Sequence, residues 1–332
     1  MRESEKRFRK IRSVKEANLC GARFLSSVTS DETFLQSHHQ GVYLLPGFLS
    51  KREQEMYIER ALTNWNEPPN RRNFEADGRA GGESQPPPSL LFEKYVYGDQ
   101  KREGVLTLTD LTWSTLGRHY DWTNRSYPLP FLLPFEKGIS SSIWHSPLPF
   151  DIQELVTRVV DTVRFKFSSS QSINTEKLDV SPLEADNFPF IPQTVIVNYY
   201  SATSASGSKF PMGAHRDDLE TAIKSPVVSL SLGCACVFLL EKESNPTSEP
   251  TALLLRSGDA LILSGKSRLS LHGVPVVFEK CVEGKCDREN EYCTHCGCLE
   301  LFDDYETSEI NKVALKRYIQ NHRINLNARQ VD

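Results

Sequence analysis

A series of short apolar segments beginning at Thr194 constrains the fold more than any other feature of the sequence. Turn residues such as Ser264-Gly265 separate these segments, and we find no helical pattern between them. Short strands joined by turns are typical of sandwiches, barrels and jelly rolls, whereas a parallel sheet needs helices between its strands. We therefore predict an antiparallel β domain with the strands TVIVNYY, SPVVSLSL, ACVFLL, TALLLR, DALIL and RINLNAR.

Helical patterns precede this β domain. Ser50 to Glu53 fits a capping box, and apolar residues at helical spacing follow it, which predicts a helix over about 51–64. A second capping pattern, Asp151 to Glu154, opens an amphipathic stretch with the apolar face of a helix packed on a sheet. Helices followed by an antiparallel β domain place the chain in the α+β class.

Segments of unusual composition mark the proposed boundaries. The first sixteen residues contain seven Lys or Arg and three Glu, so we expect 1–40 to be a flexible basic tail. A nucleic-acid arm, a nuclear signal and a mitochondrial presequence are the alternatives for this tail. Order is expected from Gly41, where GVYLL predicts a strand, and 67–90 is predicted to be a loop because it is rich in Pro, Gly and charge.

The overall charge and apolar content limit the classes of function. The net charge of the chain is −4, so contact with nucleic acid would depend on positive charge that is concentrated locally. The sequence contains no run of about 18 apolar residues and no secretory signal pattern. We therefore expect an intracellular protein without a membrane span, with nucleus, cytoplasm and mitochondrion as open alternatives.

Three residues have the spacing of a metal site. His215 and Asp217 are two residues apart, which places both side chains on one face of a strand, and His272 follows after several predicted strands. Two histidines and one carboxylate occupy one face of an octahedral metal and leave three positions open, as in non-haem Fe(II) oxygenases. An H-x-D tripeptide alone is a weak signal, and a surface or core pair is the alternative.

The segment 323–329 alternates between polar and apolar residues. One face carries Arg323, Asn325, Asn327 and Arg329, and the other carries Ile324, Leu326 and Ala328. If the apolar face packs on neighbouring structure, the polar face either meets solvent as an edge strand or lines a barrel interior. In an interior, two guanidinium groups need anionic partners, and a small dicarboxylate fits that requirement.

Together, these pieces resemble the AlkB family of Fe(II)- and 2-oxoglutarate-dependent dioxygenases. The matching motifs are Asn198-x-Tyr200, His215-x-Asp217, SPVVSLSLG, SGD, SGKSRL, His272-Gly273 and the RINLNAR segment. Within the family the chain is similar to the AlkB homologue one group, because TLGRHYDWTNRSY over 115–127 resembles the lid segment of that group and RINLNARQV resembles its end. The resemblance covers roughly 110–332, with a looser fit from 41.

The resemblance implies a fold and a set of cofactors. The fold would be a double-stranded β-helix, or jelly roll, with N-terminal helices packed on the sheet and a nucleotide-recognition lid. One dioxygenase domain would span 41–332, with a helical and lid portion over 41–190 and the jelly-roll core over 194–332. Fe(II) would bind His215, Asp217 and His272, and O2 would be the oxidant. The residues implied for 2-oxoglutarate are Asn198, Tyr200, Arg323, Asn325 and Arg329, with Arg323 on the distal carboxylate and Arg329 near the metal-bound end.

The lid segment suggests a nucleic-acid substrate. Tyr120 and Trp122 would stack on an unpaired or flipped base, and Arg118 or Arg125 would contact phosphate, although these aromatic residues could equally belong to a core. The implied reaction is oxidative demethylation of a nucleobase, in tRNA (N1-methyladenine type) or in DNA (N6-methyladenine or alkylation damage). A non-catalytic nucleic-acid or chromatin scaffold and a protein hydroxylase or demethylase are the alternatives.

Two features depart from the family or lie outside its pattern. Residue 327 is Asn where Thr is usual, and the stretch between Tyr200 and His215 is longer by several residues. A cysteine-rich insertion spans 281–298, and its spacing fits either a structural zinc site or a reduced, flexible insertion. The candidate zinc ligands are Cys281, Cys286, Cys293 and Cys296.

Overall fold

A computed structural model of the chain describes residues 24–25, 41–76, 91–97, 107–122, 124–128, 145–170, 190–202, 212–241, 250–278 and 301–332. The predicted basic tail, apart from residues 24–25, and the cysteine-rich insertion lie outside these residues. In the part of the chain that the structure describes, no helix has the length and apolar character needed to cross a membrane.

The described strands form two sheets that are antiparallel except for one pairing. The strands are β1 (Phe24–Leu25), β2 (Val42–Leu45), β3 (Arg71–Arg72), β4 (Trp113–Gly117), β5 (Thr194–Ser201), β6 (Met212–His215), β7 (Val227–Gly233), β8 (Cys236–Leu240), β9 (Thr251–Leu255), β10 (Ala260–Leu263), β11 (His272–Val277) and β12 (His322–Arg329). The first sheet has the order β1-β9-β8-β11-β6, and the second has the order β2-β10-β7-β12-β5-β4-β3. Only β1 and β9 pair in parallel among these strands. The prediction of an antiparallel β domain is therefore confirmed.

Two strands that the sequence analysis missed carry the candidate metal ligands. β6 is a four-residue strand that contains a glycine, and β11 contains Pro275, so neither has the composition of a typical strand. The pairing of β11 with β8 shifts register between Gly273 and Val276, on either side of that proline. Proline has no backbone N–H and cannot donate a hydrogen bond to the neighbouring strand, so Pro275 accounts for the shift in register.

The described helices are α1 (Lys51–Leu62), α2 (Asn73–Ala76), α3 (Leu91–Tyr97), α4 (Phe150–Ser170) and α5 (Glu309–Asn321). The predicted capping box is present at α1, where the Ser50 and Glu53 side chains each accept a hydrogen bond from the other residue's backbone N–H. The buried apolar faces of α1 and α4 belong to the same core as residues of β5 and β7. This core lies on one side of the seven-stranded sheet.

Two predictions about segments without regular structure were wrong. Residues 71–76, predicted as loop, form β3, which pairs with β4, and α2. The Arg72 side chain is buried there, pairs with Glu67 and donates to the Asn66 carbonyl. The chain between β11 and β12 also contains a helix, α5, which buries Ala314, Leu315, Tyr318 and Ile319. These four residues have helical spacing, and Ser308 caps the helix by accepting from the Asn311 N–H, so the sequence did carry the signal.

The strand β12 lies inside the seven-stranded sheet. It pairs along its whole length with β5 on one side and over Arg323–Arg329 with β7 on the other. The alternative interpretation of the segment 323–329, an edge strand with a solvated polar face, is therefore excluded. Its apolar residues Ile324, Leu326 and Ala328 join the core with the helices, so its polar face points to the opposite side of the sheet, where the candidate metal ligands lie.

Candidate active site

Two neighbouring strands bring the three candidate metal ligands together. His215 ends β6 and His272 begins β11, and these two residues face each other in the antiparallel pairing of the strands. Asp217 follows two residues after His215. One ligand atom from each residue can be chosen so that all three lie within 4.8 Å of one another, and each histidine Nε2 lies 3.9 Å from an oxygen of Asp217. This spacing suits a single metal ion bound by all three side chains.

Backbone carbonyls orient both histidine rings for metal binding. The Nδ1 of His215 lies 2.9 Å from the Gly213 carbonyl, and the Nδ1 of His272 lies 3.0 Å from the Ser270 carbonyl. Because a carbonyl can only accept, each Nδ1 carries the proton and each Nε2 presents its lone pair to the site. Burial, with a smaller contribution from the neighbouring His215, lowers the pKa of His272 to about 4, so the imidazole is neutral at pH 7.

Asp217 is a buried carboxylate with one oxygen already bound. Arg329 donates a 2.7 Å hydrogen bond to Oδ1, whereas Oδ2 is buried without a hydrogen-bond partner. Burial alone would raise the pKa of Asp217, but the adjacent Arg329 and the two histidines hold it well below its usual value. The Asp217 Oδ2 and the two histidine Nε2 atoms can all bind one divalent metal ion, which would provide each of these three atoms with a partner.

Arg323, at the other end of β12, has the properties of an anion site. It is 1% exposed, and its Nη2 donates to the Ser231 hydroxyl at 3.0 Å. Its Nε and Nη1 have no hydrogen-bond partner, and it forms no ion pair with any residue that the structure describes. Tyr200 faces it across the pairing with β5, and burial raises the pKa of the Tyr200 hydroxyl, which keeps that group neutral. These groups fit one carboxylate of 2-oxoglutarate.

The two asparagines predicted to bind 2-oxoglutarate, Asn198 and Asn325, differ in whether they are available to a ligand. Asn198 lines the cavity described below, but Asn325 already donates to the Ser229 hydroxyl and the Leu230 carbonyl, which uses both of its N–H groups. Asn325 is therefore not a free donor for a cosubstrate. Asn327 lines the same cavity, and its amide oxygen is buried without a hydrogen-bond partner.

A cavity of about 510 Å³ opens beside the metal ligands His215 and Asp217. Three aromatic residues, Tyr120, Trp122 and Tyr127, also line this cavity, and we call them the aromatic wall. The Tyr120 ring packs edge to face on Trp122 at 4.6 Å and on Tyr127 at 5.2 Å between ring centroids. Trp122 is 46% exposed, so a planar ligand could reach its ring from solvent.

Of the two arginines predicted to contact phosphate, only Arg125 lines the cavity. Arg118 is buried, and its Nη1 lies 2.7 Å from a carboxylate oxygen of Asp332. Arg118 therefore holds the C-terminal residue and does not present a free guanidinium to phosphate. This pair cannot be predicted from local sequence patterns, because its members are far apart along the chain.

Two charged residues of the site were missed by the sequence analysis. Glu220 and Arg268 form a hydrogen-bonded ion pair of 3.1 Å, and each side chain is only 2% exposed. Arg268 lies in the SGKSRL motif, but nothing in the sequence indicates its partner. The four cysteines predicted to bind zinc lie outside the described residues, whereas Cys234 and Cys236 are described and are buried.

The fold and the site define a class of protein. Two histidines and a buried aspartate beside an arginine without an ion-pair partner are the groups that a non-haem iron oxygenase with a 2-oxo acid cosubstrate requires. The family model described as the 2OG-Fe(II) oxygenase superfamily matches residues 41–329, and the chain belongs to that superfamily. The prediction of an Fe(II)- and 2-oxoglutarate-dependent dioxygenase is confirmed at this level.

Curated relatives narrow the family further. The chain is 27% identical over 92% of its length to an Arabidopsis thaliana protein named DNA N(6)-methyladenine demethylase ALKBH1A, of which it covers 80%. It is 32% identical over 51% of its length to the Schizosaccharomyces pombe tRNA demethylase abh1, and 26% identical over 86% to the human nucleic acid dioxygenase ALKBH1. It covers 42% and 61% of those two proteins. The predicted membership of the AlkB family, close to the homologue one group, is confirmed.

Proposed function

We propose that this chain oxidatively demethylates nucleobases in nucleic acid, with Fe(II), 2-oxoglutarate and O2 as cofactor and cosubstrates. The observation that carries the proposal is that one group of residues needs a cation and a second residue needs an anion. The ligand atoms of His215, Asp217 and His272 converge on one point, and Arg323 has two buried N–H groups without a hydrogen-bond partner. A metal chelated by a dicarboxylic 2-oxo acid would meet both requirements.

Each residue of the candidate active site has a defined role in this proposal. His215, Asp217 and His272 hold the metal, and Arg323 with Tyr200 binds the distal carboxylate of 2-oxoglutarate. Asn198 and Arg329 line the cavity at the metal-proximal end. When bound, the metal and 2-oxoglutarate supply hydroxylation of an N-methyl group by O2, with succinate and CO2 as products, and the hydroxymethyl group then leaves as formaldehyde. The aromatic wall orients the base so that its methyl group faces the metal ligands.

The aromatic wall supports a nucleobase as the substrate. Tyr120, Trp122 and Tyr127 line the same cavity as the metal ligands His215 and Asp217, and stacking on aromatic side chains is the usual way in which proteins hold an unpaired or flipped base. Relatives are named for both DNA and tRNA. Because the net charge of −4 does not favour tight binding of long duplexes, we place tRNA first and methylated DNA second.

Three further parts of the proposal concern the whole chain. The two antiparallel sheets would form a double-stranded β-helix within one dioxygenase domain over 41–332, with the segment 115–127 as the nucleotide lid.

The cysteine-rich insertion would hold a structural zinc ion through Cys281, Cys286, Cys293 and Cys296. Metal analysis of the purified protein would test the zinc prediction, with a Cys293→Ser, Cys296→Ser variant as the control.

Nucleoside mass spectrometry provides the test of the function. Total tRNA and methylated DNA oligonucleotides are incubated with Fe(II), 2-oxoglutarate and either the native protein or a His215→Ala, Asp217→Ala variant. We expect the native protein to deplete one methylated nucleoside and to form succinate, and the variant to do neither. Succinate without any change in nucleosides would redirect the search to protein substrates, and no succinate would favour the non-catalytic scaffold.

A further inference from the structure

Four buried charged side chains form a closed group next to the cavity. They are Asp217, Glu220, Arg268 and Arg329, which we call the carboxylate–arginine cluster. Each of these side chains is between 2% and 8% exposed, and two negative charges balance two positive charges. Buried charges are tolerated in proteins when they are paired and hydrogen-bonded in this way. Only Asp217 of the four belongs to the group of candidate metal ligands found among the described residues.

The two arginines hold Asp217 from different directions. Arg329 donates to the carboxylate oxygen Oδ1, and Arg268 donates through Nη1 to the backbone carbonyl of the same aspartate. Arg268 also donates through Nε to the Ser225 carbonyl at 2.9 Å. The aspartate is thus fixed at both its side chain and its backbone.

Glu220 connects the two arginines to each other. Its Oε2 accepts a 3.1 Å hydrogen bond from Arg268 Nη2, and its Oε1 lies 3.3 Å from Arg329 Nε. The same Oε1 accepts a 3.4 Å hydrogen bond from the Tyr127 hydroxyl of the aromatic wall. A single carboxylate therefore touches both supports of the metal ligand and one side of the substrate cavity.

We propose that Glu220 is a positioning residue for the metal ligand Asp217, an inference that rests on the proposed function. Glu220 shares the positive charge of Arg329, so that Arg329 binds one oxygen of Asp217 and leaves the other free for the metal. Without Glu220, the full charge of Arg329 would act on Asp217 and compete with the metal for its carboxylate, and the excess positive charge would also repel the cation. Tyr127 links this support to the wall against which the base packs.

Titration of the full-length, metal-free protein with Mn(II) by isothermal calorimetry tests the inference. We expect Glu220→Gln to weaken Mn(II) binding about 10- to 100-fold, as is usual when a group that supports a metal ligand is lost. Glu220→Asp, which keeps the charge on a shorter side chain, should bind Mn(II) more tightly than Glu220→Gln. The matched control is Glu67→Gln, because Glu67 is also a buried carboxylate paired with an arginine, Arg72, outside the site.

The outcomes separate the inference from the proposed function. Failure of the native protein to bind Mn(II) would contradict the proposed function itself. Native affinity in Glu220→Gln would overturn the positioning role and leave the proposed function standing. Equal weakening in Glu220→Gln and Glu67→Gln would also overturn it, because a general loss of stability would then explain the data. Equal affinities in Glu220→Gln and Glu220→Asp would overturn it as well, because the charge of the carboxylate would then have no role.

Discussion

The two arginines at opposite ends of β12 are both buried on its polar face, yet their surroundings differ. Arg329 pairs with Asp217 and lies beside Glu220, so its charge is neutralised inside the protein. Arg323 has only the Ser231 hydroxyl as a hydrogen-bond partner, and it forms no ion pair within the described part of the chain. A buried cation without an anion is costly, so the chain retains Arg323 at the expense of its own stability.

This difference distinguishes a structural charge from a binding charge. At the Arg329 end the guanidinium already has an anionic partner in the protein, Asp217, and fixes this metal ligand in place. The Arg323 end is incomplete until an anion arrives, so part of the binding free energy of 2-oxoglutarate comes from neutralising it. Loss of Arg329 should therefore lower the free energy of unfolding. Loss of Arg323 should weaken the binding of 2-oxoglutarate without lowering the free energy of unfolding.

The largest effect is expected for Arg329→Met in the metal-free protein. This change leaves Asp217 short of its ion-pair partner in a buried site and should lower the free energy of unfolding by about 3–5 kcal/mol. Urea unfolding at pH 7 measures it. Arg323→Met is the matched control, since it removes the same group from the same strand without breaking an ion pair, and an equal loss in both variants would contradict the comparison.

The stability difference between the native protein and Arg329→Met should depend on pH. Arg329 holds the pKa of Asp217 below its usual value in the folded state, so this aspartate adds stability above the unfolded pKa of about 3.9. That contribution is lost as the pH falls from there through the folded pKa. Unfolding curves of metal-free protein at pH 7, 5, 4 and 3 should show the gap narrowing as the pH falls, because protonation of Asp217 removes the charge that Arg329 pairs with, and a constant gap would argue against the ion pair.

The second largest effect is expected for 2-oxoglutarate binding by Arg323→Met. Loss of a charge-assisted hydrogen bond should cost about 1.5–3 kcal/mol, which corresponds to roughly 10- to 100-fold weaker binding. Calorimetry with 2-oxoglutarate in the presence of Mn(II) measures this change. Stability without the ligand should stay equal or rise, and Mn(II) affinity should not change. Unaltered 2-oxoglutarate affinity would show that the cosubstrate binds elsewhere.

The smallest effect is expected at the aromatic wall. Trp122→Ala should raise the KM for the nucleic-acid substrate by an amount equivalent to about 1–3 kcal/mol, the range for stacking of one base on an aromatic ring. Binding of 2-oxoglutarate should be unaffected. The free energy of unfolding should fall only slightly, because Trp122 is partly exposed and its ring packs on Tyr120 and Trp113 alone among the described aromatic rings. Phe150→Ala, a change in an exposed aromatic residue of α4, is the control, and an equal rise in KM there would contradict a stacking role.

Local patterns in the sequence predicted the chemistry of the site. The two-residue spacing of His215 and Asp217 indicated a metal site, although the strand ends at His215 and Asp217 lies just beyond it. The alternation over 323–329 placed two arginines on one side of a strand. Six strands of the β domain and the capping box of α1 were also recognised, because each depends on neighbouring residues alone. The short strand β6 and the proline-containing strand β11 were missed because their composition does not favour strands.

Contacts between residues far apart in the sequence were decided by the tertiary structure. β12 could have been an edge strand, and only its pairing with both β5 and β7 buried its polar face. The tertiary structure also placed a carboxylate beside Arg329 but none within ion-pair distance of Arg323 among the described residues, paired Arg118 with Asp332, and joined Glu220 to Arg268. Periodicity determines which side of a strand a residue occupies, whereas the partner it meets depends on which strands pair and on how the two sheets pack.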